Sequence, residues 1–155
     1  MNIRQAVKSD ISQIEKLLFQ VEKVHSDGRP DIFKEGEKKY TTEELNSLLE
    51  DKNKPIYVAV ENNKILGYAF CIFEEKGSNI MQDIKTLYID DLCVSEEARG
   101  KKIGSKLYEY VLNIAKENGC YNVTLNVWAC NESAKKFYDK CGLKVQKYGM
   151  EKIIE

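Results

Sequence analysis

Apolar and polar residues alternate through one stretch in the middle of the chain, and the alternation changes phase within it. Two apolar residues occupy odd positions and the next two occupy even positions: Leu87, Ile89, Leu92 and Val94. Because successive side chains of a strand point to opposite faces, one face holds all four only if an extra residue intervenes. A β-bulge supplies such a residue, so the pattern predicts a bulged strand with its irregularity at Asp90-Asp91.

The remaining apolar residues predict helices and strands in a mixed order. Helical spacing of apolar residues predicts helices over 11–24 and 103–114, and a fourth helix opens at Asn131. A capping box at Thr41 and Glu44 predicts a further short helix that buries Leu45, Leu48 and Leu49. Alternating or β-rich runs predict strands over 2–7, 56–61, 65–74, 82–94, 122–127, 143–148 and 150–154. The order βααβββαβαββ, with no repeat or linker, indicates a single α/β domain over residues 1–155 with a mixed sheet.

A basic loop punctuated by glycines joins the bulged strand to the third helix. The segment Arg99–Ser105 lies at a helix N-terminus, where the first N–H groups have no intrahelical partner and the helix dipole favours negative charge. Gly100 and Gly104 allow a close approach to the backbone, while Arg99, Lys101 and Lys102 add positive charge. These features predict a cradle for a phosphate or pyrophosphate. A basic surface turn that caps an ordinary helix is the alternative.

Composition excludes several classes of protein. The chain has 155 residues with 24 basic and 25 acidic side chains, a balance that gives no electrostatic footprint for nucleic acid or an anionic membrane. No apolar run approaches the ~20 residues of a membrane span, and the N-terminus lacks the apolar region of a signal peptide. Five cysteines without a CxxC pair are interpreted as reduced thiols of a cytoplasmic protein. The single histidine, His25, argues against a zinc site or a histidine-based triad.

Two motifs stand in order around the third helix. The basic loop reads Arg99-Gly100-Lys101-Lys102-Ile103-Gly104, and a downstream segment reads Asn131-x-x-Ala134-x-x-Phe137-Tyr138 followed by Gly142-Leu143. After a phase-slipped strand, these motifs resemble the Q/R-x-x-G-x-G/A cofactor loop and the downstream signature of the GNAT superfamily of N-acetyltransferases. Lys102 stands where that loop usually has its middle glycine, and we expect the change to be tolerated if Lys102 takes a helical conformation.

The resemblance implies a fold and a cofactor. The GNAT-like fold has a mixed, mostly antiparallel sheet of about seven strands, helices on both faces and a bulge in the fourth strand. The cofactor is acetyl-CoA, with its pyrophosphate on the loop and its pantetheine arm paired beside the bulged strand like an additional strand. The implied cofactor-binding residues are Leu92, Cys93, Val94, Arg99, Gly100, Lys101, Lys102, Ile103, Gly104, Ser105, Asn131, Ala134 and Tyr138.

The resemblance also implies a reaction, the direct transfer of an acetyl group from acetyl-CoA to a primary amine of a small molecule, peptide or protein. A backbone N–H at Leu92 or Cys93 is a candidate to polarise the thioester carbonyl. Tyr138 stands at the family position of the general acid, and a phenol with a pKa of about 10 is protonated at pH 7. Asp90 or Asp91, acting through water, are candidates for the general base; solvent-facing residues that only mark the bulge are the alternative.

The acceptor site is the least specified part of the resemblance. His25, Arg29, Asp31 and Phe33 belong to a predicted loop over residues 25–36 and are candidates to line the acceptor pocket. The charged run over residues 34–39 is interpreted as a solvated face, and Tyr40 and Trp128 as packing residues. A homodimer built with the terminal strands is a further option, and the identity of the amine is open.

Other nucleotide-binding motifs do not fit the sequence. A P-loop places Gly-Lys before its Ser or Thr, whereas the chain reads Gly104-Ser105-Lys106. A dinucleotide site needs G-x-G-x-x-G after the first strand, and no such segment occurs. A non-catalytic acyl-CoA sensor or a partner-binding domain of the same fold stays open as an alternative.

Overall fold

The centre of the protein is a five-stranded sheet, and the computed structural model describes residues 1–155. The strands lie side by side in sequence order: β1 (Asn2–Gln5), β2 (Ile56–Glu61), β3 (Lys64–Lys76), β4 (Ile84–Val94) and β5 (Asn122–Leu125). Strands β1 to β4 are antiparallel neighbours, and β5 pairs in parallel with β4. The sheet is therefore mixed and mostly antiparallel, as the resemblance implied.

Helices cover both faces of the sheet and divide its core in two. They are α1 (Ile11–Gly28), α2 (Thr42–Glu50), α3 (Ile103–Glu117) and α4 (Glu132–Lys140). One core packs α1 and α2 against residues such as Val58 and Tyr68, and the other packs α3 against their strand neighbours Ala59 and Ala69. Because successive side chains of a strand point to opposite faces, each strand contributes residues to both cores.

The bulge predicted in the fourth strand is confirmed. Phe70 of β3 pairs with Asp91, but the next residue, Cys71, pairs with Ile89, so Asp90 is the extra residue of β4. The four apolar residues that showed the phase change all pack into the core beneath α3. The inserted residue therefore keeps both halves of the strand facing one core.

Pairing between β4 and β5 stops at the bulge. The last paired residues are Ile89 and Leu125, and β4 then continues to Val94 with β3 as its only neighbour. The N–H of Ser95 donates to a carbonyl of β3, 2.8 Å away. Because alternate residues of a strand point their backbone groups to opposite sides, those of Leu92 and Val94 point away from β3. Residues 90–94 thus form an open edge of β4.

The two strands predicted over residues 143–148 and 150–154 are absent. Residues 144–155, which we call the C-terminal arm, are exposed and pair with no strand. The apolar alternation of the arm is typical of a strand, but a strand needs a neighbour, and the arm has none within its own chain. The sheet has five strands rather than about seven, and the order is βααβββαβα.

The end of α1 also differs from the prediction. The polar residues after Val24 predicted a loop from His25, yet the helix runs to Gly28, and the carbonyl of His25 accepts a hydrogen bond from the N–H of Arg29. His25 therefore lies in the last turn of a helix. No helix is both long enough and apolar enough to cross a bilayer.

Candidate functional site

The loop before α3 has the backbone of an anion cradle. Gly100 has a φ of +89°, and Lys102, directly before the helix, has φ and ψ of +58° and +28°. Left-handed residues among right-handed ones turn successive N–H groups to one side, and the helix start adds its own free N–H groups. Lys102 does not take the helical conformation that we expected: it is left-handed and precedes the helix. The one residue that departs from the motif thus keeps a backbone that glycine adopts most easily.

Helix α4 lies against the first turn of α3 because residue 104 is a glycine. A Cβ built on Gly104 would lie 3.1 Å from two ring carbons of Phe137 and 3.5 Å from a methyl carbon of Val94. At the start of α4, the side chain of Asn131 accepts a hydrogen bond from the N–H of Ala134 at 3.2 Å. These contacts bring the downstream motif onto the cradle.

Tyr138 follows Phe137 on α4 and lies near the open edge of β4. Burial raises the pKa of its phenol well above the usual value, and the nearby Asp91 and Cys93 raise it further. The phenol is therefore protonated at neutral pH.

Asp91 has one side-chain partner, the hydroxyl of Tyr68, which donates to Oδ2 at 2.8 Å. Burial raises the pKa of the Asp91 carboxyl to about 6, although the Tyr68 hydrogen bond and the nearby Lys39 act in the opposite direction. Although a part of the residue still meets solvent, its carboxyl is buried, and desolvation disfavours the charged form. The group is mostly ionised at pH 7 and can take up a proton just below it.

Unlike Asp91, Asp90 is bound by two residues that precede α2, Lys39 and Tyr40. Lys39 Nζ lies 3.1 Å from Oδ1 of Asp90 and donates to the Asp90 carbonyl at 3.1 Å. The hydroxyl of Tyr40 donates to Oδ2, and its ring stacks on Phe70 with centroids 5.3 Å apart. The inserted residue of the bulge therefore anchors the connection between α1 and α2.

The prediction of a solvated face over residues 34–39 is wrong for Lys38, which is half-buried, and it misses the ion pair of the exposed Lys39. Lys38 pairs with Glu15 of α1, and Lys39 pairs with the bulge. The sequence pattern could not show these pairs, because each lysine and its carboxylate partner are more than twenty positions apart in the chain.

Gln20 of α1 contacts the end of the open edge, and the sequence does not single it out. Its Nε2 donates to the Val94 carbonyl at 2.9 Å, and its Oε1 accepts from the N–H of Glu96 at 3.1 Å. The side chain thus joins α1 to the end of the open edge. A glutamine beside an apolar helical stripe carries no signal of such a role.

The four residues predicted for the acceptor pocket form two pairs. The His25 ring stacks on Phe33 with centroids 4.9 Å apart, and Arg29 pairs with Asp31 at 2.8 Å. Burial, followed by the charge of Lys39, lowers the pKa of His25, so its imidazole is neutral at pH 7. Lys39 thus influences His25 and contacts Asp90, so this region lies next to the bulge.

The structure adds three residues to this region. The Trp128 ring meets Phe33 edge-on at 5.0 Å, and Glu151 of the C-terminal arm pairs with Arg29 at 2.6 Å. Glu22, one helical turn before His25, has a buried Oε1 with no hydrogen-bond partner. A buried carboxylate oxygen normally accepts a hydrogen bond, so Oε1 of Glu22 is available to a donor from a ligand.

Comparison of sequences identifies relatives with one common chemistry. A sequence model described as the acetyltransferase (GNAT) family matches residues 18–143. Glucosamine 6-phosphate N-acetyltransferase of Arabidopsis thaliana is 30% identical over 102 residues, which are 57% of this chain and 66% of that protein. N-alpha-acetyltransferase 30 of Schizosaccharomyces pombe is 28% identical over 86 residues, 56% of this chain and 55% of that protein. This chain thus spans less than two thirds of the length of these curated relatives.

Comparison of structures gives likenesses over the full chain. A crystal structure of a mutant of the BH1408 protein from Bacillus halodurans has a TM-score of 0.96 and 30% identity, and the match covers 100% of both chains. Glucosamine-6-phosphate N-acetyltransferase of Arabidopsis thaliana has a TM-score of 0.72 and 26% identity over 99% and 98% of the two chains. An aminoglycoside N-acetyltransferase solved with CoA has a TM-score of 0.73 at 14% identity over 99% of each chain, which shows a shared fold.

Replacing Lys102 by glycine is expected to stabilise the protein. A left-handed residue with a side chain costs about 1–2 kcal/mol, and the added freedom of glycine in the unfolded chain costs about 0.4–1 kcal/mol. We expect Lys102→Gly to raise the free energy of unfolding by roughly 0.5–1 kcal/mol in denaturant titrations. Lys101→Gly, one residue earlier and outside the left-handed region, should lower it by about 0.4–1 kcal/mol. If both glycine variants lowered the free energy of unfolding by the same amount, the backbone strain at Lys102 would be contradicted.

Proposed function

Because this chain belongs to the acetyltransferase (GNAT) family, we propose that it transfers an acetyl group from acetyl-CoA to a primary amine of a small molecule, peptide or protein. One observation carries the proposal. The unpaired edge of β4 beyond the bulge leads within a few residues into the N–H cradle of α3. A long ligand with an amide-bearing arm and a diphosphate fits an edge and a cradle in that order.

Acetyl-CoA supplies the acetyl group as a thioester. The N–H groups of residues 100–105 would hold the diphosphate, with Arg99, Lys101 and Lys102 adding positive charge and Ile103 anchoring the helix in the core. The backbone groups of Leu92 and the N–H of Val94 would pair with the pantetheine arm, since Gln20 already occupies the Val94 carbonyl. Asn131 and Ala134 would flank the arm from α4.

Leu92 is the better candidate to polarise the thioester carbonyl. The N–H of Cys93 points towards β3 in the strand pairing, whereas that of Leu92 points to the open side. A backbone N–H fixed in a strand stabilises developing negative charge without reorganising. The thiol of Cys93 is not proposed as a nucleophile, since burial raises its pKa far above neutral.

Asp91 is the proposed general base, working through water. Its pKa of about 6 leaves it ionised at neutral pH, so it can accept, through water, the proton that the amine must lose to attack the thioester. Asp90 is less suited, because Lys39 and Tyr40 already occupy its carboxylate oxygens.

Tyr138 is the proposed general acid for the departing thiolate. Its phenol is protonated at neutral pH and therefore has a proton to donate as the sulfur develops charge. The packing of Phe137 over Gly104 supports this role, since it holds the adjacent Tyr138 beside both the cradle and the open edge.

The charges around the acceptor region favour a cationic amine without a phosphate. Glu22 offers a free carboxylate oxygen, while His25 is neutral. The cations Arg29 and Lys39 are already paired with carboxylates. A phosphorylated acceptor would need one of them released.

The direct test is release of free thiol from acetyl-CoA in the presence of an amine panel, with mass detection of the acetylated product. The panel holds polyamines, amino acids, peptides with free N-termini, aminoglycosides and glucosamine 6-phosphate. We expect turnover with cationic amines that lack phosphate. Binding of acetyl-CoA without thiol release in any mixture would instead indicate a sensor, and no binding would indicate a partner-binding domain.

Asp91→Asn is expected to remove the acid limb of the pH profile. The native log kcat/KM should steepen below about pH 6, where the carboxylate takes up its proton. The variant should lose about 10²–10⁴-fold in kcat and show no such change of slope. The matched variant Asp90→Asn should raise KM by loosening the α1–α2 connection and keep the steepening. A persisting acid limb in Asp91→Asn would assign the base elsewhere.

Tyr138→Phe is expected to slow thiol release by about 10²–10⁴-fold while leaving acetyl-CoA affinity within a few fold, since only the hydroxyl is removed. Tyr40→Phe loses the same group at the neighbouring Asp90 and serves as the control, with a much smaller effect. Native rates of thiol release in Tyr138→Phe across the pH range would rule out the general-acid role.

A further inference from the structure

Two carboxyl groups in and beside the acceptor region, Glu22 and Asp91, form no ion pair within the chain. The two cations of the region, Arg29 and Lys39, are paired with other carboxylates. Asp91 instead accepts a hydrogen bond from a tyrosine hydroxyl, and Oε2 of Glu22 accepts one from the N–H of Gly36 at 3.3 Å. Two carboxyl groups of the region are thus left for cations that the chain does not supply.

Glu22 is the less satisfied of the two. It is half-buried on α1, and its Oε1 is enclosed and accepts no hydrogen bond. His25 follows it by three residues, so both side chains lie on one face of the helix. Burial and then the charge of Lys39 lower the pKa of His25, and the charge of Glu22 opposes them, as expected for a carboxylate close to the imidazole. A carboxylate taken out of water is costly unless donors replace the water, so this oxygen is a binding point for a donor.

Aromatic rings stand next to this carboxylate. The His25 ring stacks on Phe33, and Trp128 meets Phe33 edge-on. Trp128 is 41% exposed, so the cluster reaches the protein surface. The cluster carries no positive charge, because the imidazole is neutral at pH 7. The faces of phenylalanine and tryptophan attract cations, so the rings favour the same kind of ligand as the carboxylate does.

The connection between α1 and α2 covers Glu22 only loosely. Residues 34–37 are exposed, and a Cβ built on Gly36 would have no atom within 4 Å. The N–H of Gly36 reaches Oε2 at 3.3 Å, which is long for a hydrogen bond. A hydrogen bond from an ammonium group to a carboxylate is about twice as strong as one between neutral groups. A ligand cation can therefore displace this N–H and reach the Glu22 carboxylate.

We propose that Glu22, with Phe33 and Trp128, binds a second ammonium group of the acceptor, so that the acceptor is a diamine or polyamine. Asp91 then serves the amine that reacts, and Glu22 holds the amine that does not. This assignment rests on the proposed function, since it takes the region as the acceptor site. A monoamine would leave Glu22 without a cation, and a phosphate on the acceptor would meet a like charge there.

Fluorescence of Trp128 tests the site without any acetyl transfer, because this residue is the only tryptophan of the chain. The protein is saturated with CoA, which has no acetyl group, and titrated with putrescine, cadaverine, butylamine and pentylamine. We expect a saturable change of fluorescence with each diamine. Its Kd should be at least about tenfold lower than that of the monoamine of the same length.

Glu22→Gln is expected to bring the Kd of each diamine to that of its monoamine. The amide has the size of the carboxylate and still offers an oxygen to Gly36, so the variant loses only the charge. Glu35→Gln is the matched control, because Glu35 is exposed on the same connection, and it should keep the native preference. Phe33→Leu should weaken diamine binding by roughly 2–5-fold, the effect of one exposed cation–π contact, and change monoamine binding less.

Equal affinities of the native protein for diamine and monoamine would overturn the proposal, and this comparison needs no variant. A diamine preference that persists in Glu22→Gln would also overturn it. The outcome is separable from that of the proposed function. Selective diamine binding without release of thiol from acetyl-CoA would refute the transferase and retain this site. Thiol release at equal KM for diamine and monoamine would retain the transferase and refute the site.

Discussion

The insertion of one residue into β4 determines the geometry of the whole site. Without Asp90, the side chains beyond the bulge would face the opposite core, and the apolar residues at positions 92 and 94 would lose their contact with α3. The insertion also changes which backbone groups face β5. Before the bulge, the carbonyl of Lys85 accepts from the N–H of Tyr121, and beyond it the even-numbered residues face the open side. The sheet can therefore be fully packed and still leave one stretch of backbone unpaired.

Several contacts stabilise this opening from both faces of the sheet. Lys39 and Tyr40 fix the inserted residue from the α1–α2 side, and Gln20 fixes the strand end. On the α3 side, the absence of a side chain at Gly104 allows Phe137 to cover the helix start. The left-handed Lys102 is retained at a cost of about 1–2 kcal/mol. Strain of this kind persists where the surrounding structure determines the backbone, as it does between a bulged strand and a packed helix.

The sequence predicts those features that are encoded over a few residues. The phase change at Asp90, the basic loop and the cap at Asn131 are all local patterns, and the structure contains each of them. Partners that are distant in sequence leave no such pattern. The pairing of Lys39 with Asp90 joins residues 51 positions apart, and nothing in the charge run indicates it. The terminal strands failed for a related reason, since alternation describes a strand but does not say whether a neighbour exists within the same chain.

Amide hydrogen exchange measured by NMR with and without acetyl-CoA tests the central claim most directly, because it reports on the open edge and the cradle separately. If the edge of β4 pairs with the pantetheine arm, acetyl-CoA will slow exchange at Leu92 and Val94 as well as at residues 100–105. Protection confined to the cradle, or located elsewhere on the sheet, would contradict the role assigned to the bulge.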